Sequence, residues 1–247
     1  MDLIRLFKYL TVDSSKLVLQ NQTLRFSPLS SFNDPFEGEN IFSFEVDPTT
    51  GCVEVMGEDG KMLKLGHEPN LVAVELARDQ ISKHSACCFC DRVDSTLLWS
   101  HYAANHTGVC LEFEVEEFSN GRDIFNLPCG SVLPFGRVNY SRLRPTILLN
   151  TKTSSDVPYE LIDLSAMTKS LDWQYEGEWR FLKRCSPSVE YLTFRSESLK
   201  RAIVGIKCDP ADIAAIHQIL KRNYPVATLA WAKKHATDYS VVVSEVP

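Results

Sequence analysis

Segments with the alternation of a β-strand recur along the whole chain, and short helical segments interrupt them in no regular order. Val109–Val115 alternates apolar side chains with outward acids, as a strand with one buried face does. Near the end, Asp209 followed by proline starts a helix with a stripe of Ile213, Ile216 and Leu220. Because strands and helices lack a strict βαβ alternation, we predict an α+β fold with a central, mainly antiparallel sheet flanked by short helices.

The chain shows no repeat, low-complexity tract or linker, so we expect a single domain over residues 1–247. Strand candidates at 53–56 and 61–65 flank a Gly57-to-Gly60 turn and predict a hairpin, which we expect to be a peripheral insertion near 47–66. Further strands are expected at Leu3–Leu10, Thr23–Ser27, Ile41–Val46, Ala86–Cys90, Arg137–Tyr140, Trp179–Lys183, Ala202–Lys207, Val226–Trp231 and Tyr239–Val243. Further helices are expected at Lys16–Asn21 with Asp13 or Ser14 as the cap, from Asn70 to Ile81, at Thr96–Ala104 and at Leu161–Lys169.

Composition and charge argue against several classes of protein. A net charge of −6 argues against a general affinity for nucleic acid or anionic membranes. The apolar stretches are too short to cross a bilayer, and the first ten residues lack the cleavage site of a signal peptide. We therefore expect a cytoplasmic protein whose eight cysteines are reduced thiols. His84, Cys87, Cys88 and Cys90 lack the spacing of a zinc site, so we expect no bound metal.

The strongest candidate for acid chemistry is Trp173–Arg180, with the sequence WQYEGEWR. Glu176 and Glu178 are two residues apart, and in a strand this spacing sends both side chains to one face. Two carboxylates on one face can divide labour, one pairing a cation or hydroxyl and the other stabilising developing positive charge. The alternative is a solvated strand face on which Arg180 and Lys183 form ion pairs.

Two other blocks combine aromatic and polar residues. Phe32–Glu37 contains an Asn-Asp-Pro turn between two phenylalanines, and a purely structural corner is the alternative to a site. His101 and Tyr102 lie on a short predicted helix, but Trp99 and Tyr102 share a face, so core packing is the alternative there. The chain has no phosphate-binding glycine loop and no nucleophile elbow.

Seven blocks occurring in order resemble a bacterial family known only as a domain of unknown function, number 2971. The blocks are Leu6–Tyr9, Leu24–Ser27, Phe32–Glu37, Leu98–Ala103, Gly108–Phe113, Val138–Tyr140 and Trp173–Arg180. The resemblance runs from Leu6 to the tail strands. By itself it implies no activity.

More distantly, the chain resembles the ADP-ribosyltransferases, which have a split antiparallel sheet and three dispersed motifs. Lys8 stands where that resemblance implies a first-strand arginine or histidine that holds the cofactor, and a lysine lacks their planar geometry. Tyr102, in the middle block, would stack on nicotinamide. Glu178 would be the catalytic acid that stabilises an oxocarbenium-like ribose, and Glu176 would orient the acceptor.

The resemblance implies an NAD-consuming ADP-ribosyltransferase or NAD glycohydrolase, in the setting of a bacterial toxin or antiviral defence protein. NAD would be the cofactor, and the partners would be a protein or nucleic-acid acceptor and a cognate inhibitor protein. The residues that the resemblance implies for binding NAD are Lys8, Tyr9, Ser27, Asn33, Asp34, Glu37, Trp99, His101 and Arg180. The alternative is a non-catalytic nucleotide- or protein-binding module on the same fold, and a carboxylate-based nuclease is the third hypothesis.

The transferase hypothesis makes a geometric prediction. A cofactor clamp, a stacking ring and a ribose-binding acid must lie within the reach of one ligand, because positioning supplies much of the rate. We therefore expect Lys8, Tyr102 and Glu178 to line one cleft, with Asn33, Asp34 and Glu37 at its rim.

Overall fold

A computed structural model describes residues 3–47, 52–56, 62–65, 78–116, 121–129, 131–150, 159–184 and 186–245. The strands in these ranges are β1 (Leu3–Leu10), β2 (Thr23–Pro28), β3 (Ile41–Asp47), β4 (Cys52–Met56), β5 (Met62–Leu65), β6 (Ser85–Cys90), β7 (Val109–Glu116), β8 (Phe135–Arg137), β9 (Asn139–Ser141), β10 (Thr146–Asn150), β11 (Thr168–Ser170), β12 (Glu178–Lys183), β13 (Glu190–Thr193), β14 (Leu199–Val204), β15 (Thr228–Lys234) and β16 (Val241–Glu245). The α-helices are α1 (Val12–Asn21), α2 (Thr96–His101), α3 (Tyr159–Ala166) and α4 (Pro210–Asn223), and residues 78–82 are also helical. Short 3₁₀ helices occupy Leu29–Ser31, Leu171–Glu176 and Ser196–Ser198.

The largest sheet in the described ranges has the strand order β13-β2-β6-β1-β7-β14-β15-β16. Strand β12 lies beside β6 off this path, and β8 pairs with β12. Neighbours in this sheet are antiparallel except for β14 and β15, which are parallel. A second sheet has the order β10-β3-β4-β5, and β9 pairs with β11. The predicted α+β class with a mainly antiparallel sheet is therefore confirmed.

The large sheet divides at β6. Along one edge of β6, all six residues from Ser85 to Cys90 pair with β12. Along the other edge, Cys90 pairs with Phe7 of β1, whereas Ser85 and Ala86 pair with the end of β2. Between these two contacts β1 and β2 separate, and a cleft opens over the middle of β6.

Lys8 bridges this opening. Its Nζ donates a hydrogen bond of 2.7 Å to the carbonyl oxygen of Cys88, in the part of β6 that neither β1 nor β2 reaches. The same ammonium lies 5.1 Å from the centre of the Phe89 ring. A side chain thus replaces the missing ladder bond, and a backbone carbonyl beside the cleft has a partner.

Apolar side chains cover both faces of the sheet. Strand β1 shows the alternation, since Leu6 enters one buried cluster and Phe7 and Tyr9 enter another. Helices α1 and α4 pack over the first cluster, and the Tyr224 hydroxyl donates to the Leu19 carbonyl at 2.9 Å. The second cluster centres on α2 and the tail strands. No helix in the described part of the chain combines the length and apolar composition that a bilayer crossing requires.

Several predicted boundaries are wrong. Helix α1 begins at Val12, because Thr11 is its N-cap and accepts from the Ser14 backbone N–H at 3.2 Å. The strand predicted at Arg137–Tyr140 is two strands, β8 and β9, because the Val138 N–H turns to donate to the Glu178 carbonyl. The helix predicted to reach Lys169 ends at Ala166, and β11 follows. The last three strands, β14 to β16, are also displaced from their predicted positions by two or three residues.

The hairpin prediction is confirmed in its strands, since β4 and β5 pair antiparallel. Its turn and residues 70–77 of the predicted Asn70 helix lie outside the described residues. The hairpin continues a sheet with β3 and β10. A single domain with this hairpin as a peripheral insertion stays a prediction.

If Lys8 completes the ladder of β6, Lys8→Met will lower the free energy of unfolding by about 1–3 kcal/mol, because a partly buried carbonyl loses its donor. Urea denaturation measures this effect. Lys207→Met is the control, because Lys207 is exposed and its side chain has no hydrogen-bond or ion-pair partner among the described residues. Equal stability of the two variants would contradict the structural role of Lys8.

Candidate active site

A cavity of about 480 Å³ opens where the sheet divides. Its lining comprises Phe7, Lys8, Tyr9, Arg25, Ser27, Phe32, Asn33, Cys88, Phe89, Cys90, Leu98, Tyr102, Lys169, Glu176 and Glu178. The placement of Lys8, Tyr102 and Glu178 in one cleft is therefore confirmed. Tyr9, Ser27, Asn33 and Glu176 lie there as well.

The two carboxylates do not share a strand, so that part of the prediction is wrong. Glu176 is the last residue of a 3₁₀ helix, Gly177 has a left-handed backbone with φ of 54°, and Glu178 begins β12. Both side chains nevertheless converge on Lys169, whose Nζ lies 2.6 Å from Glu176 Oε2 and 3.1 Å from Glu178 Oε2. The bend at Gly177 brings the carboxylates together.

A side chain at position 177 would collide with Asp91. A Cβ there would lie 2.2 Å from Oδ1 of Asp91, in addition to the cost of the left-handed conformation. The Asp91 backbone N–H donates to the Gly177 carbonyl at 3.0 Å, and the Asp91 side chain pairs with Arg137. These contacts fix the bend at Gly177, which lies between the two glutamates in the sequence.

Glu178 is buried and held by two cations. Arg180 donates to it twice, from Nε to Oε1 at 2.8 Å and from Nη2 to Oε2 at 3.1 Å. The Glu178 backbone N–H donates to the Tyr140 hydroxyl at 2.8 Å. Burial alone would raise the pKa of Glu178, but the charge and hydrogen bonds of Arg180, together with Lys169, lower this pKa to about 2. The carboxylate is therefore ionised at neutral pH.

Arg180 has no exposed surface. Its Nη1 pairs with Glu37 and donates to the carbonyl of Ala166 at 2.5 Å. Burial raises the pKa of Glu37 even though the charge of Arg180 opposes the shift, and Glu37 Oε2 has no hydrogen-bond partner among the described residues. Glu37, Glu176, Glu178, Lys169 and Arg180 form the buried charge cluster, with three acids and two bases.

Tyr102, the C-cap residue of α2, contacts this cluster through Glu176. Its hydroxyl donates to Glu176 Oε1 at 2.5 Å, and burial followed by this bond raises its pKa, so the phenol is neutral. On the other side, the Trp173 ring lies 4.7 Å from the Lys169 ammonium. The Glu176 side chain is thus held between the neutral hydroxyl of Tyr102 and the ammonium of Lys169.

Five residues proposed for NAD binding are not in the lining. Trp99 is fully buried in the second apolar cluster, with its Nε1 donating to the Val93 carbonyl, as the core alternative implied. Asp34 is buried and accepts from the Phe36 N–H, so its turn is a structural corner. His101 is exposed beside the Tyr175 hydroxyl, at 3.3 Å. Arg180 and Glu37 lie behind the lining, in the buried charge cluster. The rim position expected for Asp34 and Glu37 is wrong because both are buried.

Sequence reasoning missed Lys169, Tyr140 and Arg25. The sequence predicts Lys169 at the end of a helix, whereas it lies on β11 and its ammonium contacts both glutamates. Its contacts become visible only when the pairing of β11 with β9 is known. The residue types carried a weak signal, since two glutamates in an aromatic segment need cations if they are buried.

The thiols and acids show no metal centre in the described residues. No group of three or more His, Cys, Asp or Glu side chains there is arranged to hold a metal ion. Cys87, Cys88, Cys90, Cys110, Cys129 and Cys208 are free thiols, and burial raises the pKa of Cys87 and Cys88. The cations beside these carboxylates come from the chain itself. Lys169 contacts both Glu176 and Glu178, and Arg180 contacts Glu178.

One comparison with known proteins overlaps the site. A family model described as a protein of unknown function (DUF2971) matches residues 98–181, so the resemblance to this family is confirmed over that segment. The segment contains Tyr102, Lys169, Glu176, Glu178 and Arg180. Comparisons with curated proteins and with solved structures found no match.

The low pKa of Glu178 makes a prediction about acid stability. A depressed pKa contributes stability above the ordinary value of 4.5, and this contribution is lost as the pH falls towards 2. Glu178→Gln will therefore be less stable than the natural protein by roughly 3 kcal/mol at pH 7, and the difference will shrink between about pH 5 and pH 2. Urea denaturation across this range measures both proteins.

The matched control is Glu39→Gln, which removes an exposed carboxylate that lines no part of the cavity. A difference between the natural protein and Glu178→Gln that does not change with pH would contradict the arrangement around Glu178.

Proposed function

We propose that this chain is an NAD-consuming enzyme of the ADP-ribosyltransferase type, which transfers ADP-ribose or hydrolyses NAD. One observation carries the proposal: Lys8, Tyr102, Glu176 and Glu178 line a single cavity at the division of the sheet. The proposal includes a fold of the split-sheet type found in that class, built as a single domain.

Glu178 supplies the charge that the reaction needs. Cleavage of the bond between nicotinamide and ribose develops positive charge on the ribose, and a fixed carboxylate stabilises it. The low pKa keeps Glu178 ionised, and burial removes competing water.

Tyr102 and Glu176 act as a pair. The ring of Tyr102 lies in the cavity wall, where it can stack on the leaving nicotinamide, while its hydroxyl holds Glu176. Glu176 then orients the acceptor. Lys169 is a positioning residue, because it contacts both glutamates and keeps their like charges close together.

The biological setting in this proposal rests on the resemblance alone. We infer a cytoplasmic toxin or defence protein, with a protein or nucleic acid as acceptor and a cognate inhibitor as a further partner. The DUF2971 match carries no activity with it.

A non-catalytic nucleotide- or protein-binding module is the second candidate, and three contacts favour it. Lys8 is already bonded to the Cys88 carbonyl, and the charge of Glu178 is already balanced by Arg180 and Lys169. Such a module binds NAD or a related nucleotide without releasing nicotinamide.

Release of nicotinamide from NAD, followed by chromatography, tests the proposal. Glu178→Gln should lower the rate at least about 100-fold, because a fixed charge at the reacting centre is lost. The variant should still fold, since Lys169 still forms an ion pair with Glu176 and Arg180 still forms one with Glu37. Glu176→Gln should reduce transfer to an acceptor more than hydrolysis.

Glu114→Gln is the control, because Glu114 also lies on a strand and pairs with Lys200 but does not line the cavity. It should keep the natural rate. If the natural protein binds NAD and releases no nicotinamide, the enzyme hypothesis is wrong and the binding module replaces it.

A further inference from the structure

A second cavity, of about 670 Å³, adjoins the first. It extends from the division of the sheet towards α1 and β13. The two cavities share five lining residues, which are Lys8, Arg25, Ser27, Phe32 and Cys88. They therefore form one groove with two compartments, and Lys8 and Arg25 lie where the compartments meet.

Carboxylates line only one of the two compartments. The first contains Glu176 and Glu178 with Lys169 between them. The second has Lys8 and Arg25 as its charged lining residues and no carboxylate. Its polar lining adds Ser14, Asn21, Thr23 and Ser27, which are hydrogen-bond donors. A ligand that fits the whole groove can place its negative part beside Arg25 in the second compartment, away from the glutamates.

Arg25 is the cation that remains available for such a ligand. Its side chain is exposed, and among the described residues no carboxylate lies within ion-pair distance of it. Lys8, in contrast, already donates to the Cys88 carbonyl. A guanidinium presents a planar set of donors that matches two phosphate oxygens, so Arg25 suits a phosphate or diphosphate.

The outer wall of the second cavity is apolar and includes a ring. Tyr191 lies opposite Arg25 in the pairing of β13 with β2, and its side chain is 62% exposed. Leu17, from α1, is 58% exposed at the same cavity. An exposed tyrosine beside an arginine that forms no ion pair with a described residue offers a surface for a nucleobase next to a site for its phosphates.

We propose that the second cavity binds the nucleoside diphosphate part of a dinucleotide, with Arg25 holding the diphosphate and Tyr191 facing the base. The identity of the whole dinucleotide rests on the proposed function, whereas the diphosphate subsite rests on Arg25 and the charge of the second cavity. In this proposal Arg25 binds the phosphates, because the Lys8 ammonium already donates to the Cys88 carbonyl.

Calorimetric titration of the full chain with ADP tests this subsite. Arg25→Gln should weaken ADP binding at least about tenfold, as expected for the loss of a charge-assisted bidentate contact. Arg222→Gln, which removes an exposed charge on α4 outside both cavities, should bind as the natural protein does. Adenosine and inorganic pyrophosphate should each bind more weakly than ADP.

Unchanged ADP affinity in Arg25→Gln, or pyrophosphate binding as tight as that of ADP, would overturn the subsite. Nicotinamide release separates this outcome from failure of the proposed function. If ADP binding depends on Arg25 but NAD is not cleaved, the subsite stands and the enzyme proposal fails. If NAD is cleaved and Arg25→Gln changes neither ADP affinity nor KM for NAD, the subsite fails and the enzyme proposal stands.

Discussion

The buried guanidinium of Arg180 is the constraint on which the site depends. Removing a charge from water costs several kcal/mol unless it is paired and hydrogen-bonded, and Arg180 has no exposed surface. Its partners are Glu178 on β12, Glu37 in the loop after β2, and the carbonyl of Ala166 at the end of α3. Three distant segments are therefore fixed around one cation, and the position of Glu178 follows from it. Loss of Glu178 or Glu37 leaves the buried guanidinium with one carboxylate instead of two, which destabilises the arrangement.

The cleft has its origin in the backbone. Strand β6 shares one edge between β1 and β2, so an opening forms wherever those two strands separate. The buried charge cluster lies beside this opening because Glu178 pairs with Cys90 at the end of β6. The Lys8 bond to Cys88 allows the opening to persist without an unpaired carbonyl. The two glutamates line only the first compartment, and Arg25 lies where the two compartments meet, which gives the groove a direction.

Local patterns in the sequence were sufficient for the class of fold. Strands β1, β6 and β7 were predicted to within one residue, because alternation and apolar runs are set by neighbouring side chains. The geometry of Glu176 and Glu178 could not be predicted from local patterns, because the left-handed bend at Gly177 depends on Asp91, which is distant in sequence. Lys169 and Arg25 were missed for the same reason, since strand pairing decides what they face. Trp99 was assigned to the site, although helical spacing placed it equally well in the core where it lies.

A crystal structure with a non-hydrolysable NAD analogue tests the central claim most directly, namely that one directed groove holds the whole dinucleotide. We predict nicotinamide beside Tyr102, ribose hydroxyls within hydrogen-bond distance of Glu178, and the diphosphate on Arg25. Density for the analogue outside the groove, or in the groove with its phosphates at the glutamates, would contradict the account.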